Sequence, residues 1–130
     1  MSFETARRDI EGRFDTNWVT TVKAFDNVDF KPPEGAAWTR IKIFEEDTQR
    51  INIGTPGVHR VSGMIVVEIF VPKGTGTATA RDYAGQIATI FRDAQFNGVL
   101  CREAVPRNVG DYKGWYQFNV VTRFQWDGVY

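Results

Sequence analysis

A glycine-rich segment, Lys73–Thr79, lies between a predicted strand and a predicted helix, which is where phosphate-binding loops occur. Its spacing fits neither of the two common phosphate-binding patterns. A dinucleotide-binding loop needs a third glycine or alanine where Thr79 stands, and a P-loop ends in Gly-Lys-Ser/Thr, whereas Lys73 precedes the glycines. We therefore interpret the segment as a strand-to-helix loop with threonine caps.

The residues that could act as nucleophiles or metal ligands are too few for a recognised site. The chain has one histidine, His59, and Ser62 would face the opposite side of a shared strand. Cys101 lies in a predicted strand, where a cysteine is usually a small buried apolar residue. One histidine and one cysteine do not supply the three or four ligands of a zinc site. The sequence predicts no catalytic centre, no cofactor site and no metal site.

Charged residues in the predicted strands offer a weaker chemical signal. Glu68 lies within an apolar strand and could act as an acid or base, but no second carboxylate is linked to it by spacing. The acidic run Glu45–Asp47 predicts a solvated turn. The basic residues of the first predicted hairpin are Arg40, Lys42, Arg50, His59 and Arg60. Aromatic residues are not interleaved with them, so a solvated strand face explains them better than single-strand nucleic-acid binding.

Composition narrows the function classes further. The chain has 130 residues, of which 42% are apolar and 14% aromatic, enough for one globular core, and we expect a single domain over residues 1–130. Sixteen basic and sixteen acidic residues cancel, which disfavours a protein that mainly grips nucleic-acid phosphates. The longest apolar run, Met64–Val67, is far shorter than the roughly 20 residues of a membrane span. We expect neither membrane insertion nor sequence-specific nucleic-acid binding.

Two amphipathic helices are predicted to hold this core together. Apolar residues at three- and four-residue steps predict a helix near residues 3–15, with Ser2 as its N-cap. A second stripe predicts a helix near residues 78–96, ended by Asn97 and Gly98.

Alternating patterns predict strands over residues 38–44, 49–53, 58–71, 99–105 and 116–126. In the last strand Tyr116, Phe118, Val120 and Phe124 are expected to be buried. The predicted fold class is α+β, with two helices packed on a mostly antiparallel sheet in the order α-β-β-β-α-β-β. Residues 18–37 look irregular, and a loop of that length is usually functional.

The segments without catalytic signals resemble a known family, the tail terminator proteins of tailed phages related to the lambda tail terminator. The similar segments, in order, are Phe25–Gly35, Trp38–Arg40, Gln49–Gly54, Arg60–Gly63, Phe70–Gly76, Ile90–Arg92, Val109–Gly110 and Gly114–Val120. They span nearly the whole chain. The run Glu45–Asp47 departs from the family pattern, in which a glycine-containing turn is expected.

The resemblance implies a structural protein and not an enzyme. Such a protein forms a hexameric ring on the finished tail tube, stops polymerisation of the major tail tube protein and presents a surface to the head-completion or connector protein. It implies assembly in the host bacterial cytoplasm and a place at the head-proximal end of the virion tail. The oligomeric state of the isolated chain stays open.

Two loops and one strand residue are the predicted contacts between subunits or with partners. The candidate residues are Phe30, Pro32, Pro33, Arg40, Lys73 and Thr75. Phe30 and the prolines would supply rigid apolar contact, and Arg40 would pair with a carboxylate of the neighbouring subunit. Alternatively, Phe30 only packs its loop onto its own chain.

Two other functions stay open at this point. One is a head–tail connector or head-completion subunit. The other is a small-molecule-binding α+β domain, or an enzyme, that uses the sheet face with Glu68.

Overall fold

Within residues 1–129, the part of the chain that the computed structural model describes, there are two α-helices and six β-strands. The elements are α1 (Phe3–Asn17), β1 (Val22–Phe25), β2 (Trp38–Arg50), β3 (His59–Pro72), α2 (Ala78–Phe91), β4 (Gln95–Phe96), β5 (Val99–Tyr112) and β6 (Trp115–Gly128).

All six strands belong to one sheet with the order β1-β2-β3-β6-β5-β4. The short β1 runs parallel to β2, whereas the other four neighbouring pairs are antiparallel. The long β2, β3, β5 and β6 curl the sheet into a half-barrel. Strands hold 47% of the residues and helices 22%, so the protein is mostly β.

The predicted α+β class with the order α-β-β-β-α-β-β is therefore wrong. The observed order is α-β-β-β-α-β-β-β, and the sheet is mixed. The irregular segment 18–37 contains β1, which is only four residues long and pairs with Trp38–Ile41. The acidic run Glu45–Asp47 is not a turn, because β2 continues through it to Arg50 with a bulge between Glu45 and Asp47. The predicted strand 49–53 does not exist as a separate element.

Both helices begin close to where the sequence predicts, and the second ends earlier. Ser2 caps α1, since its hydroxyl oxygen accepts from the Thr5 N–H at 3.1 Å and Thr5 Oγ1 accepts from the Ser2 N–H at 2.8 Å. α2 stops at Phe91 and not at residue 96. Asp93 takes a left-handed backbone with φ of 55°, and the chain then turns into β4.

The main core lies between the helices and one face of the sheet. The stripe Ala6, Ile10 and Phe14 of α1 is buried there, and Phe14 stacks on Phe91 of α2. From β6, the same core takes Phe118, Val120, Phe124 and Trp126. The predicted burial is thus confirmed for Phe118, Val120 and Phe124, while Tyr116 is partly buried. Neither helix in residues 1–129 is long and apolar enough to span a bilayer.

Candidate partner-binding surfaces

A second, smaller apolar cluster lies on the sheet face away from the helices. Alternation along β2 and β3 brings Trp38 and Phe70 to this face, and the register places them side by side. Their rings stack with centroids 4.1 Å apart. Phe30 covers Trp38 at 5.0 Å, and Trp115 of β6 meets it edge-on at 6.0 Å. These side chains join the 26–37 loop to the sheet.

A cleft of about 600 Å³ opens beside this cluster. We call it the aromatic cleft. Its lining residues include Val28, Phe30, Pro32, Trp38, Arg40, Lys42, Tyr112, Lys113 and Trp115. Arg40 and Lys42 of β2 and Lys113 of the turn between β5 and β6 are cationic, and Asp26 and Asp29, which also line the cleft, are anionic. The cleft therefore combines aromatic walls with charges of both signs.

Arg40 forms an ion pair within its own chain. Its Nε donates to Glu68 Oε1 at 2.7 Å, because the β2–β3 register puts the two residues opposite each other. Gln117 Nε2 donates to Glu68 Oε2 at 3.0 Å. The hydrogen bond to Glu68 raises the pKa of Arg40 above its usual range. Arg40 thus has an ion-pair partner within its own chain, and both Glu68 oxygens are engaged. Pairing of Arg40 with a neighbouring subunit stays a prediction.

The predicted loop residues fall in different places. Phe30 and Pro32 line the aromatic cleft together with Arg40, whereas Pro33 is partly buried and is not among the lining residues. The contact of Phe30 with Trp38 matches the alternative in which Phe30 packs its loop onto its own chain. Contact of these residues with a partner stays a prediction.

The glycine-rich turn after β3 holds the other two predicted residues. Lys73 Nζ lies 3.5 Å from Asp111 Oδ2, which ties the turn to the end of β5. Thr75 Oγ1 donates to the Pro72 carbonyl at 2.7 Å. Thr77 precedes α2 but makes no side-chain capping hydrogen bond, so the expected threonine cap is absent there. This turn is exposed and does not line the aromatic cleft.

The loop that joins β2 to β3 forms an exposed surface that was not predicted from the sequence. We call residues 51–58 the hairpin tip. It exposes Ile53 fully and leaves Ile51 42% exposed. Both residues were expected to lie in the predicted strand over residues 49–53. The signal against that assignment is that Gly54–Gly57 follows immediately, which leaves Ile51 and Ile53 at the end of the hairpin and not within a sheet.

Comparison with known proteins shows which family this chain resembles. Residues 8–120 match the family described as phage tail terminator protein. The chain belongs to the phage tail terminator family. No curated protein matches the chain. Several solved structures match the chain, and one of them has 20% sequence identity and a TM-score of 0.72, with 97% of this chain and 96% of that one covered. This likeness shows a shared fold.

The family assigns this terminator-family protein a structural role in the phage tail, with partners from tail assembly and a location in the virion tail. The resemblance found in the sequence is thus confirmed at family level.

Candidate catalytic groups of this terminator-family protein lie apart from one another. Cys101 is buried in the helix-side core, and burial raises the pKa of its thiol to about 11. His59 and Ser62 lie on β3 at an odd spacing, so their side chains point to opposite faces. In residues 1–129, no group of three or more His, Cys, Asp or Glu side chains could hold a metal ion.

Proposed function

We propose that this protein caps the completed tail tube as a hexameric ring, stops polymerisation of tube protein and provides the surface for head joining. The observation that carries the proposal is the family match, which spans residues 8–120 and so includes both the aromatic cleft and the hairpin tip. The finer steps, namely ring formation, arrest of polymerisation and head joining, are our inference from that membership.

The distribution of surface features supports a role in assembly. A capping subunit must contact neighbouring copies and tube protein at the same time, so it needs more than one interaction surface. The aromatic cleft lies at the start of β2, and the hairpin tip lies at its end. Loops carried on a rigid sheet are well suited to such contacts.

An in vitro polymerisation experiment tests the arrest of tube growth. Tube protein from the same phage genome is polymerised with and without this chain, and tube lengths are measured by electron microscopy. We expect addition of the chain at a small fraction of the tube-protein concentration to stop elongation and to leave ring-shaped density at one tube end.

Two results separate the proposal from its alternatives. Tubes that continue to grow while the chain is bound only at a head connector would contradict capping and favour a head-completion subunit. Tubes that grow unchanged with no bound chain would refute the proposal entirely. A heat-denatured sample of the chain controls for non-specific inhibition.

A further inference from the structure

Two strands of the sheet have no strand beside them over part of their length. β1 pairs with β2 only at residues 38–41, so residues 44–50 pair with β3 alone. On the other side of the sheet, β4 pairs with β5 only at residues 99–100, so residues 104–110 pair with β6 alone. Within residues 1–129, no other main-chain hydrogen bond reaches either stretch. We call residues 44–50 the β2 edge and residues 104–110 the β5 edge.

Both edges are open to solvent. Every residue of the β2 edge is exposed, and so are residues 105–109 of the β5 edge. A strand edge presents N–H and C=O groups to which another strand can add. Pro106 has no N–H, so the β5 edge lacks a donor at that position, and edge strands are where proline is tolerated. A strand from another molecule would complete the main-chain hydrogen bonds at either edge.

The directions of the long strands allow a second copy to extend the sheet. β2, β3, β6 and β5 are neighbours in this order, and each adjacent pair is antiparallel. A copy that is placed beside the first by rotation about an axis along the strands sets its β2 antiparallel to the first copy's β5. The alternation of strand directions therefore continues across the boundary. Because the contact joins unlike edges of identical chains, its repetition closes a ring.

Charges at the centre of each edge favour the pairing of unlike edges. Asp47 is the middle residue of the β2 edge and Arg107 that of the β5 edge, and neither forms an ion pair within residues 1–129. Two β2 edges paired about their centres would set Asp47 against Asp47, and two β5 edges would set Arg107 against Arg107. Like charges directly opposite destabilise a strand pair, whereas opposite charges stabilise it. The pairing of β2 with β5 brings Asp47 opposite Arg107.

The side chains of Asp47 and Arg107 lie on the same face of the sheet. Asp47 is opposite Ser62 of β3, and Arg107 is opposite Asn119 of β6. Ser62 and Asn119 alternate with residues of the main core, so they point away from the helices. Residues that are directly opposite across strands share a face, so Asp47 and Arg107 point away from the helices too.

Each edge contains one bulge, and the two bulges meet in this register. The β2 register shifts between Glu45 and Asp47, and the β5 register shifts between Asn108 and Gly110. Antiparallel pairing with Asp47 opposite Arg107 sets residues 45–46 opposite residues 108–109. Because both strands change phase at the same place, their side chains keep to matching faces on both sides of the bulges.

The same register sets Phe44 opposite Gly110. Phe44 is 45% exposed and has Met64 as its only neighbour across a strand in its own chain. Gly110 has no side chain, so it leaves room for the Phe44 ring on the face away from the helices. The contact would therefore cover an apolar side chain that the single chain leaves open to water.

The stagger between copies fits a closed barrel. Asp47 is level with Ser62 of β3, whereas Arg107 is level, through Asn119, with Glu68 of β3, so the next copy is shifted by six residues. At about 3.3 Å per residue and 4.8 Å per strand, this shift over four strands tilts them by roughly 45°. Closed barrels have tilts of about 35–45°. The shift also leaves β1 beyond one end of the joined edges and β4 beyond the other.

We propose that the β2 edge of one copy pairs antiparallel with the β5 edge of the next copy, with Asp47 opposite Arg107. Main-chain hydrogen bonds then extend the sheet from copy to copy around the ring. This inference rests on the proposed ring and names its interface.

Disulfide trapping tests the register directly. In a Cys101→Ala background, one chain carries Gln49→Cys and Val105→Cys, which are opposite each other in the proposed register and about 4.5–5.5 Å apart at Cβ. Within one chain, β3 and β6 separate the two positions by about 14 Å, so only disulfides between copies form. We expect oxidation of assembled protein to give a ladder of covalent oligomers that ends at the closed ring.

The matched control moves one cysteine along the same edge. Val109→Cys replaces Val105→Cys, because both valines are exposed on β5 and Val109 lies four residues from the proposed partner of Gln49. We expect at least tenfold more cross-linked product with Val105→Cys than with Val109→Cys.

Reversal of the central charges gives a second test by analytical ultracentrifugation. Asp47→Arg and Arg107→Asp should each weaken self-association about tenfold, because like charges then lie opposite each other at every contact. An equimolar mixture of the two variants should associate like the wild type, since alternating copies restore opposite charges throughout the ring. Arg8→Asp, at an exposed position of α1, is the control and should change association less than twofold.

The outcomes separate the edge contact from the ring itself. Equal cross-linking with Val105→Cys and Val109→Cys, or a mixture that associates no better than either charge variant alone, would overturn the edge contact and leave the ring proposal standing. A ladder that ends at another number of copies than six would support the edge contact and contradict the hexamer. A wild-type chain that stays monomeric at every concentration and also on tail tubes would overturn both.

Discussion

Gly63 lies where β3 passes the bulge in β2, and we predict that one added methyl group there destabilises the protein. The register pairs Gly63 with Glu45, directly before the shift to Asp47. A Cβ on Gly63 would lie 1.9 Å from the Phe44 carbonyl oxygen and 2.9 Å from the Phe44 carbonyl carbon. Both are backbone atoms, so no side-chain rotation can relieve the overlap, and the bulge itself must move.

The size of the effect follows from this contact. Overpacking usually costs about 1–3 kcal/mol, and overlap with backbone places Gly63→Ala near 3 kcal/mol. For a chain of this length each kcal/mol lowers the melting temperature by about 3–5 °C, so we expect a loss of roughly 10 °C.

The same substitution in a helix provides the control. Gly85 lies in α2 at an exposed position, and a Cβ there would meet no atom within 4 Å. Gly85→Ala should therefore raise the free energy of unfolding by about 0.5–1 kcal/mol, because alanine loses less backbone entropy in a helix. Thermal melts followed by circular dichroism, with urea titrations, measure both variants. A Gly63→Ala variant that melts within about 2 °C of the wild type would refute the bulge geometry.

Three further predictions concern the core and the sheet face. Phe118→Ala should lower the free energy of unfolding by about 3–5 kcal/mol in urea titrations, because the side chain is buried in the helix-side core. Cys101 should resist alkylation in the folded protein at pH 8 and react only after unfolding. Since its folded pKa is raised to about 11, its contribution to stability should be complete below the unfolded thiol pKa and be lost as the pH rises towards the folded pKa. Arg40→Ala should lower the free energy of unfolding by about 1–2 kcal/mol, because it leaves the largely buried Glu68 carboxylate without its cation. The double variant Arg40→Met with Glu68→Met should recover most of that loss, and equal stabilities for the single and double variants would contradict the pairing.

Strong periodicity made part of the fold predictable from the sequence. The helical stripes located α1 and the start of α2, and the alternation of Phe118, Val120 and Phe124 located β6 and its buried face. Gln117, which alternates with these residues along β6, is also buried. Gln117 donates a hydrogen bond to Glu68 on the sheet face away from the helices, where aromatic side chains cover the ends of the strands.

The strands that were not predicted, or were predicted too short, lack a clear pattern in their own residues. β1 has four residues and is fixed by parallel pairing with β2, which is a tertiary interaction. β5 extends through Pro106 and Gly110 to Tyr112, whereas the predicted strand 99–105 ends before Pro106. Both residues usually interrupt a strand, but Pro106 lies on a stretch of β5 that pairs only with β6, and the register shifts between Asn108 and Gly110.

The candidate surfaces depend on register, which one sequence does not show. Arg40 was correctly marked as a polar strand residue, but its partner Glu68 follows only from the pairing of β2 with β3. The aromatic cleft likewise needs Trp38, Phe30 and Trp115 to meet from three separate segments. The hairpin tip could have been inferred from Ile51 and Ile53 directly before Gly54–Gly57, had β2 been extended through the acidic run.

Tail length in cells that lack this protein tests the central claim most directly. The gene is deleted from the phage or prophage genome, tails are purified from lysates, and their lengths are measured by negative-stain electron microscopy. A capping protein predicts tails of widely variable and excessive length that carry no heads, with uniform length restored by the wild-type chain supplied from a plasmid. Headless tails of uniform, normal length in the deletion strain would contradict the account.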